Sequence, residues 1–163
     1  MPSFAGVNHF ALTVTDLDVS QRFYTQVFGL VAVLDVGYGR VCMDKSSGFT
    51  VGLMKHPEGT GAPFSELNTG LDHIGLAVAD RAELVQWAEK LEALGIAFTP
   101  IQDMPLGHHL NFRDPDGFAL ELQAPSAPYA AALADLRSRE VSDEELLARA
   151  AEMVGEDMVA HPV

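Results

Sequence analysis

The segments Val7-Asn8-His9-Phe10-Ala11-Leu12-Thr13-Val14-Thr15-Asp16 and Leu71-Asp72-His73-Ile74-Gly75-Leu76-Ala77-Val78-Ala79-Asp80 match at a constant offset of 64. Apolar residues stand opposite apolar residues, His opposite His, and Asp closes both. Such repetition marks a duplicated structural unit. Each segment alternates with the period of a strand, so His9 and His73 face the same way in their respective copies.

Working outward, a helix follows each strand. Val19, Phe23 and Val27 recur every four residues and stop at Gly29; Leu84, Trp87, Ala88, Leu91 and Leu94 form the second stripe, stopped by Gly95. Three strands then close each copy, near 30–36, 39–43 and 49–55 in the first and near 97–101, 108–113 and 118–123 in the second. Asp114-Pro115-Asp116-Gly117 is a turn signal, with Pro fixing φ and Gly free to take φ > 0. The pattern predicts an α+β fold of two tandem βαβββ modules, residues 1–56 and 71–125, joined by a Gly- and Pro-rich linker over 57–70. An acidic helical C-terminal extension over 126–163 belongs to neither copy. There Ser142 and Glu145 predict a capping box, with Leu146, Leu147, Ala150 and Met153 as an apolar face, after a helix from Tyr129 to Arg139.

The 163 residues carry a formal net charge of −13, which argues against a nucleic-acid backbone or an anionic membrane surface as partner. No apolar run reaches the roughly 18 residues of a membrane span, and Met1–Gly6 shows no leader pattern. The single cysteine, Cys42, excludes an internal disulfide and reads as strand packing. These features predict a cytoplasmic protein. Tyr24, Tyr38 and Trp87 read as packing residues, and Arg40 and Lys55 as surface charges.

Glu121 sits between Leu120 and Leu122 in an otherwise apolar strand, where an unpaired buried carboxylate is costly. It calls for solvent, a cation or a metal. A lone strand histidine is ordinarily a hydrogen-bonded structural residue, but two at equivalent places in a duplicated unit are harder to dismiss. His9, His73 and Glu121 together form a 2-His-1-carboxylate set with open coordination positions, suited to Fe(II), with Mn, Zn or Ni as alternatives.

The repeated strand–helix units, the stretch Phe23-Tyr24 to Phe28-Gly29-Leu30, and Phe112-Arg113-Asp114-Pro115-Asp116-Gly117 leading to Leu120-Glu121-Leu122 resemble the vicinal oxygen chelate superfamily over about residues 5–125. Its branches include glyoxalase I, extradiol dioxygenases, fosfomycin-modifying thiol transferases, methylmalonyl-CoA epimerase and bleomycin-resistance proteins. The resemblance implies paired modules forming a curved mixed sheet around a metal cleft. It implies His9, His73 and Glu121 as metal ligands. It also implies a small substrate chelated through neighbouring oxygens, and a homodimer.

Aligning Ser47–Gly52 with Asp116–Glu121 puts Gly52 where the family's four-ligand form has its remaining ligand. Glycine cannot ligate, which departs from the glyoxalase I pattern. His56 shares the strand parity but lies where the strand ends before Pro57. Three ligands match the dioxygenases and thiol transferases better. Asn111 stands where the dioxygenase signature has tyrosine, and Ala11 where the thiol transferases have a hydroxyl residue. Asn111 can hydrogen-bond a substrate oxygen but cannot act as an acid near neutral pH. If Asn111 lines the cleft, strand alternation puts His109 there too and His108 on the other face. His109 is then suited to general acid–base work. The reading is a divalent-metal enzyme with oxygenase-like chemistry favoured on ligand count. A glyoxalase- or epimerase-type lyase or isomerase is the alternative, and a metal-free binding protein of the bleomycin-resistance type the next.

Overall fold

The computed structural model describes residues 6–159. The leader reading of Met1–Gly6 therefore lies, apart from Gly6, outside the described residues. The chain gathers into two units: one of residues up to His73 with Arg113–Ala119, the other of Ile74–Phe112 with Leu120 onward. Each module carries a four-stranded mixed sheet, so the α+β architecture of tandem βαβββ modules with a helical extension is observed.

In the first module β1 (His9–Thr13), α1 (Leu17–Phe28), β2 (Val31–Asp35), β3 (Gly39–Met43) and β4 (Thr50–Met54) form a sheet of order β1-β4-β3-β2. β1 runs parallel to β4, with His9 opposite Thr50 and Ala11 opposite Gly52. One face, carrying Leu12, Val14, Cys42, Val51 and Leu53, is buried with Tyr24 and Val27 of α1. The other face exposes His9, Ala11 and Thr13. The Asp that closes each sequence repeat has a structural reason. Asp16 caps α1 by accepting from the Asp18 and Val19 amides at 2.8 and 2.9 Å, and Asp80 caps α2 through the Glu83 amide at 2.9 Å. Gly29 ends α1 in the left-handed conformation, φ 70°, donating to the Thr25 carbonyl.

The Asp114–Gly117 turn does more than reverse the chain. Asp114 Oδ1 accepts from the Asp116 and Phe118 amides, and Oδ2 accepts from the Tyr24 hydroxyl at 3.1 Å. Asp116 accepts from the Thr15 amide and hydroxyl. Burial pushes the Asp114 carboxyl up, opposed by these hydrogen bonds, and burial beside Asp114 pushes the Tyr24 phenol up strongly. The 57–70 segment has neither helix nor strand, yet it is anchored to this turn. Phe64 stacks on Phe118 with ring centres 4.2 Å apart, and Glu66 pairs with Arg113 at 2.5 Å.

In the second module β5 (Ile74–Ala77), α2 (Arg81–Ala93), β6 (Gln102–Met104), β7 (Gly107–Arg113) and β8 (Ala119–Pro125) form a sheet of order β5-β8-β7-β6. Ile74, Leu110, Phe112, Leu120, Leu122 and Ala124 bury one face with Leu84 and Leu91 of α2. The helices α3 (Ala127–Ser138) and α4 (Asp143–Val154) follow and bury no residue completely. No helix among the described residues is long and apolar enough to cross a membrane.

Several sequence expectations are corrected. The strand expected over 97–101 is absent: Phe98 makes one isolated bridge to Phe112, and the ladder starts only at Gln102. Pro100 is the reason, since it has no amide to donate. On α1, Val19 is exposed while Leu17, Ser20, Tyr24 and Val27 are buried, so the true stripe is rotated toward the buried phenol. Tyr38 is no packing residue; it is 61% exposed. Arg40 is no free surface charge, because its half-buried guanidinium bridges Asp18 at 2.6 Å and Asp35 at 2.9 Å. Ser142 caps α4 through the Glu145 amide, but the Glu145 carboxylate turns to Arg139 and Arg149 instead of closing the box.

Candidate metal centre

His9 opens β1 on the uncovered face of its sheet. Its Nδ1 lies 2.9 Å from Asn8 Oδ1. An amide oxygen only accepts, so the ring proton sits on Nδ1 and the lone pair on Nε2. His73, one residue before β5, repeats the arrangement: its Nδ1 lies 2.7 Å from Asp72 Oδ1. Both histidines, at the same place in the repeat, thus commit one nitrogen to the residue before and keep the other for a ligand. Metal-binding imidazoles are typically held this way.

Glu121 lies on β8 opposite Gly75, two residues after His73 on the same strand line. Its Oε2 lies 2.9 Å from His109 Nδ1 on β7, within ion-pair distance, with the two side chains 16% and 20% exposed. Its Oε1 lies above Gly75, where even a methyl group would come within 3.6 Å of it. Asn111 follows His109 by two residues and so projects on the same side of β7; its backbone is bonded to Thr99. His108 pairs instead with Asp103 at 2.6 Å, beside the Arg81–Asp103 ion pair.

The equivalent row in the first module is chemically blank. There β1, β4 and β3 place Ala11, Gly52 and Val41 side by side, against Gly75, Glu121 and Asn111 in the second, with His109 two residues before Asn111. A Cβ at Gly52 would meet Ala11 at 3.5 Å and the Phe10 carbonyl oxygen at 3.6 Å, both ordinary contacts. A cavity of about 450 Å³ lies along β1 in the first unit, lined by Ala11, Thr13, His56, Phe64, Asp116 and Phe118 among others. His56 therefore faces this cavity.

Of the residues singled out from the sequence, His109 and Glu121 are in direct contact. Among the described residues no three His, Cys, Asp or Glu side chains gather around a single point. Sequence reasoning missed Asn8 and Asp72. Their signal was present, as two residues with a side-chain carbonyl oxygen at the matched position before each repeated histidine. Two imidazoles with Nδ1 engaged and a half-buried carboxylate with one oxygen engaged are donor types that divalent ions take.

The glyoxalase/bleomycin resistance protein/dioxygenase superfamily model matches residues 6–122. A glyoxylase/bleomycin resistance protein/dioxygenase domain from Frankia sp. EAN1pec is 34% identical, covering 77% of this chain and 95% of its own at TM-score 0.70. Lactoylglutathione lyase from Agrobacterium tumefaciens is 25% identical, with 76% and 96% covered and TM-score 0.61. The fosfomycin resistance protein FosX from Listeria monocytogenes, solved with Mn(II) and sulfate, shares the fold at 19% identity, with 81% and 99% covered and TM-score 0.63. With a family model spanning most of its length and both modules built as that family builds them, the chain belongs to the glyoxalase/bleomycin resistance protein/dioxygenase superfamily.

Proposed function

We propose that this protein is a divalent-metal-dependent enzyme whose ligands are His9, His73 and Glu121, acting on a small molecule bound through two neighbouring oxygens. The observation that carries the reading is the matched pre-orientation of the two histidines, each with Nδ1 tied to its preceding residue and Nε2 left with its lone pair. A structural histidine needs no such repetition. A bound divalent ion would act as a Lewis acid toward the oxyanion that forms on the substrate. Around it, Asn111 would orient a substrate oxygen by hydrogen bonding. The cavity along β1 has the volume to take the body of a small substrate.

Within this class oxygenase-like chemistry with Fe(II) is favoured. With Gly52 in place of a fourth donor, three ligands leave room for both substrate oxygens and a further small molecule. A glyoxalase-type reaction is the second reading, favoured by the 25% identity to lactoylglutathione lyase. Assays with Fe(II) and catechols, run with and without oxygen, and with hemithioacetals and Mn(II) or Ni(II), separate them. Oxygen-dependent catechol turnover supports the first reading; turnover of hemithioacetals alone, without oxygen, contradicts it. We further propose that the protein works as a homodimer. Light scattering showing only monomer at micromolar concentration would count against that.

A further inference from the structure

We infer that Asn8, Asp72 and His109 are three positioning residues, each occupying one of the two donor atoms of a metal ligand and so fixing which atom remains for the ion. The inference rests on the proposed ligand set and adds residues to it. Each ligand has one donor atom engaged by a neighbouring side chain. Asn8 Oδ1 accepts from His9 Nδ1, Asp72 Oδ1 accepts from His73 Nδ1, and His109 Nδ1 lies at ion-pair distance, 2.9 Å, from Glu121 Oε2. What remains is Nε2, Nε2 and Oε1, one lone-pair donor per ligand.

For His109 this replaces the general acid–base role that its place on β7 first suggests. An imidazole nitrogen held 2.9 Å from a carboxylate oxygen is engaged by that carboxylate. Nor is the contact a stability device. Water still reaches both side chains and screens the pair. Its effect is directional: it holds Oε2 toward β7 and leaves Oε1 over Gly75, on the strand line that His73 enters. In the module lacking a carboxylate the place of His109, two residues before the partner of Gly52, is taken by Gly39, which has no side chain to donate. The orienting residue thus accompanies the ligand it would orient.

The three sites are not equivalent. Asn8 is neutral and Asp72 is anionic, and an anion behind an imidazole raises its basicity as a ligand. His73 is therefore the stronger of the two nitrogen donors, and Asp72 matters more than Asn8.

The test is competition of the intact protein with a chromophoric chelator for Co(II) and Zn(II), with the Co(II) visible spectrum as a second readout. It compares unaltered protein with Asn8→Ala, Asp72→Ala, Asp72→Asn, His109→Phe and His109→Gln, alongside the ligand variants His73→Ala and Glu121→Ala. Asp72→Ala and His109→Phe are expected to weaken binding about 10–100-fold and shift the Co(II) bands. Asn8→Ala should fall short of that, and Asp72→Asn and His109→Gln should recover part of the loss. Unchanged affinity in Asp72→Ala and His109→Phe overturns the inference, as does a loss in His109→Phe as complete as in Glu121→Ala, which would make His109 a ligand. If the unaltered protein binds no better than His73→Ala and Glu121→Ala, the ligand assignment itself fails, and the positioning roles with it. Loss in the ligand variants alone leaves the ligands standing and overturns only the positioning roles.

Discussion

His109 Nδ1 lies 2.9 Å from Glu121 Oε2, on neighbouring strands of one sheet. The contact joins the residue that the repeat leaves unexplained to the one carboxylate that an apolar strand would not otherwise hold. It also separates two accounts of His109. A general acid–base would exchange its proton with substrate, whereas a residue that orients Glu121 keeps its proton on the carboxylate.

That separation is measurable in turnover. His109→Gln retains a donor for Glu121 Oε2 but cannot cycle a proton near neutral pH. The expectation is that metal-saturated His109→Gln keeps activity within about tenfold of the unaltered protein, since general acid–base catalysis typically supplies 10²–10⁴-fold. A loss at the upper end of that range would restore the acid–base role. The readout is kcat at saturating metal.

Gly52→Glu tests the empty row of the first module. The backbone has room for a Cβ there, with Ala11 at 3.5 Å as its nearest neighbour. The variant should fold with little change in Tm, bind Zn(II) or Ni(II) more tightly, and lose activity as an open position is filled. Equilibrium metal titration and a thermal melt check all three.

Tyr24→Phe removes the hydroxyl that donates to buried Asp114 Oδ2. An unsatisfied buried carboxylate oxygen costs about 1–3 kcal/mol, so denaturant melts near neutral pH should show a loss in that range. The pH dependence has a definite sign. Asp114 is raised in the fold, so between its unfolded and folded pKa the folded state binds more protons, and stability falls as pH rises through that window. The Tyr24 hydrogen bond works against the raise; deleting it should widen the window upward and lessen the penalty in acid.

Gly107→Ala tests the start of β7. An added methyl would sit 2.1 Å from the Ala124 carbonyl oxygen, a backbone atom that cannot step aside. A loss of about 1–3 kcal/mol is expected from overpacking, compared with about 2–5 kcal/mol for Leu84→Ala, which empties a fully buried site against the second sheet. Urea titrations of both variants supply the comparison.

The fold was legible because its two copies annotate one another. The matched Asp16 and Asp80 are helix caps, the glycines at 29 and 95 end helices, and β3 falls at Gly39–Met43 as the pattern predicts. What escaped was decided by contacts that periodicity does not encode. Pro100 breaks a strand whose apolar content looked sufficient. The α1 stripe turned because Tyr24 buries its ring to reach Asp114, a residue 90 positions away. Tyr38 and Arg40 read the wrong way round because exposure depends on partners, here Asp18 and Asp35 for the arginine. At the candidate site, residue types and repeat position named the proposed ligands, and strand alternation put His109 and Asn111 on one face of β7. Alternation could not say that His109 would spend its Nδ1 on Glu121, nor that Asn8 and Asp72 would do for the histidines what His109 does for the glutamate.

Metal retention tests His9, His73 and Glu121 as ligands most directly. Protein prepared without chelator, incubated with Fe(II), Mn(II), Zn(II) or Ni(II) and freed of excess ion, should retain close to one ion per chain by elemental analysis. The doubly substituted His9→Ala/His73→Ala protein, folded by circular dichroism, should retain almost none. Absence of stoichiometric metal from the unaltered protein, or equal retention by the two, would contradict the account.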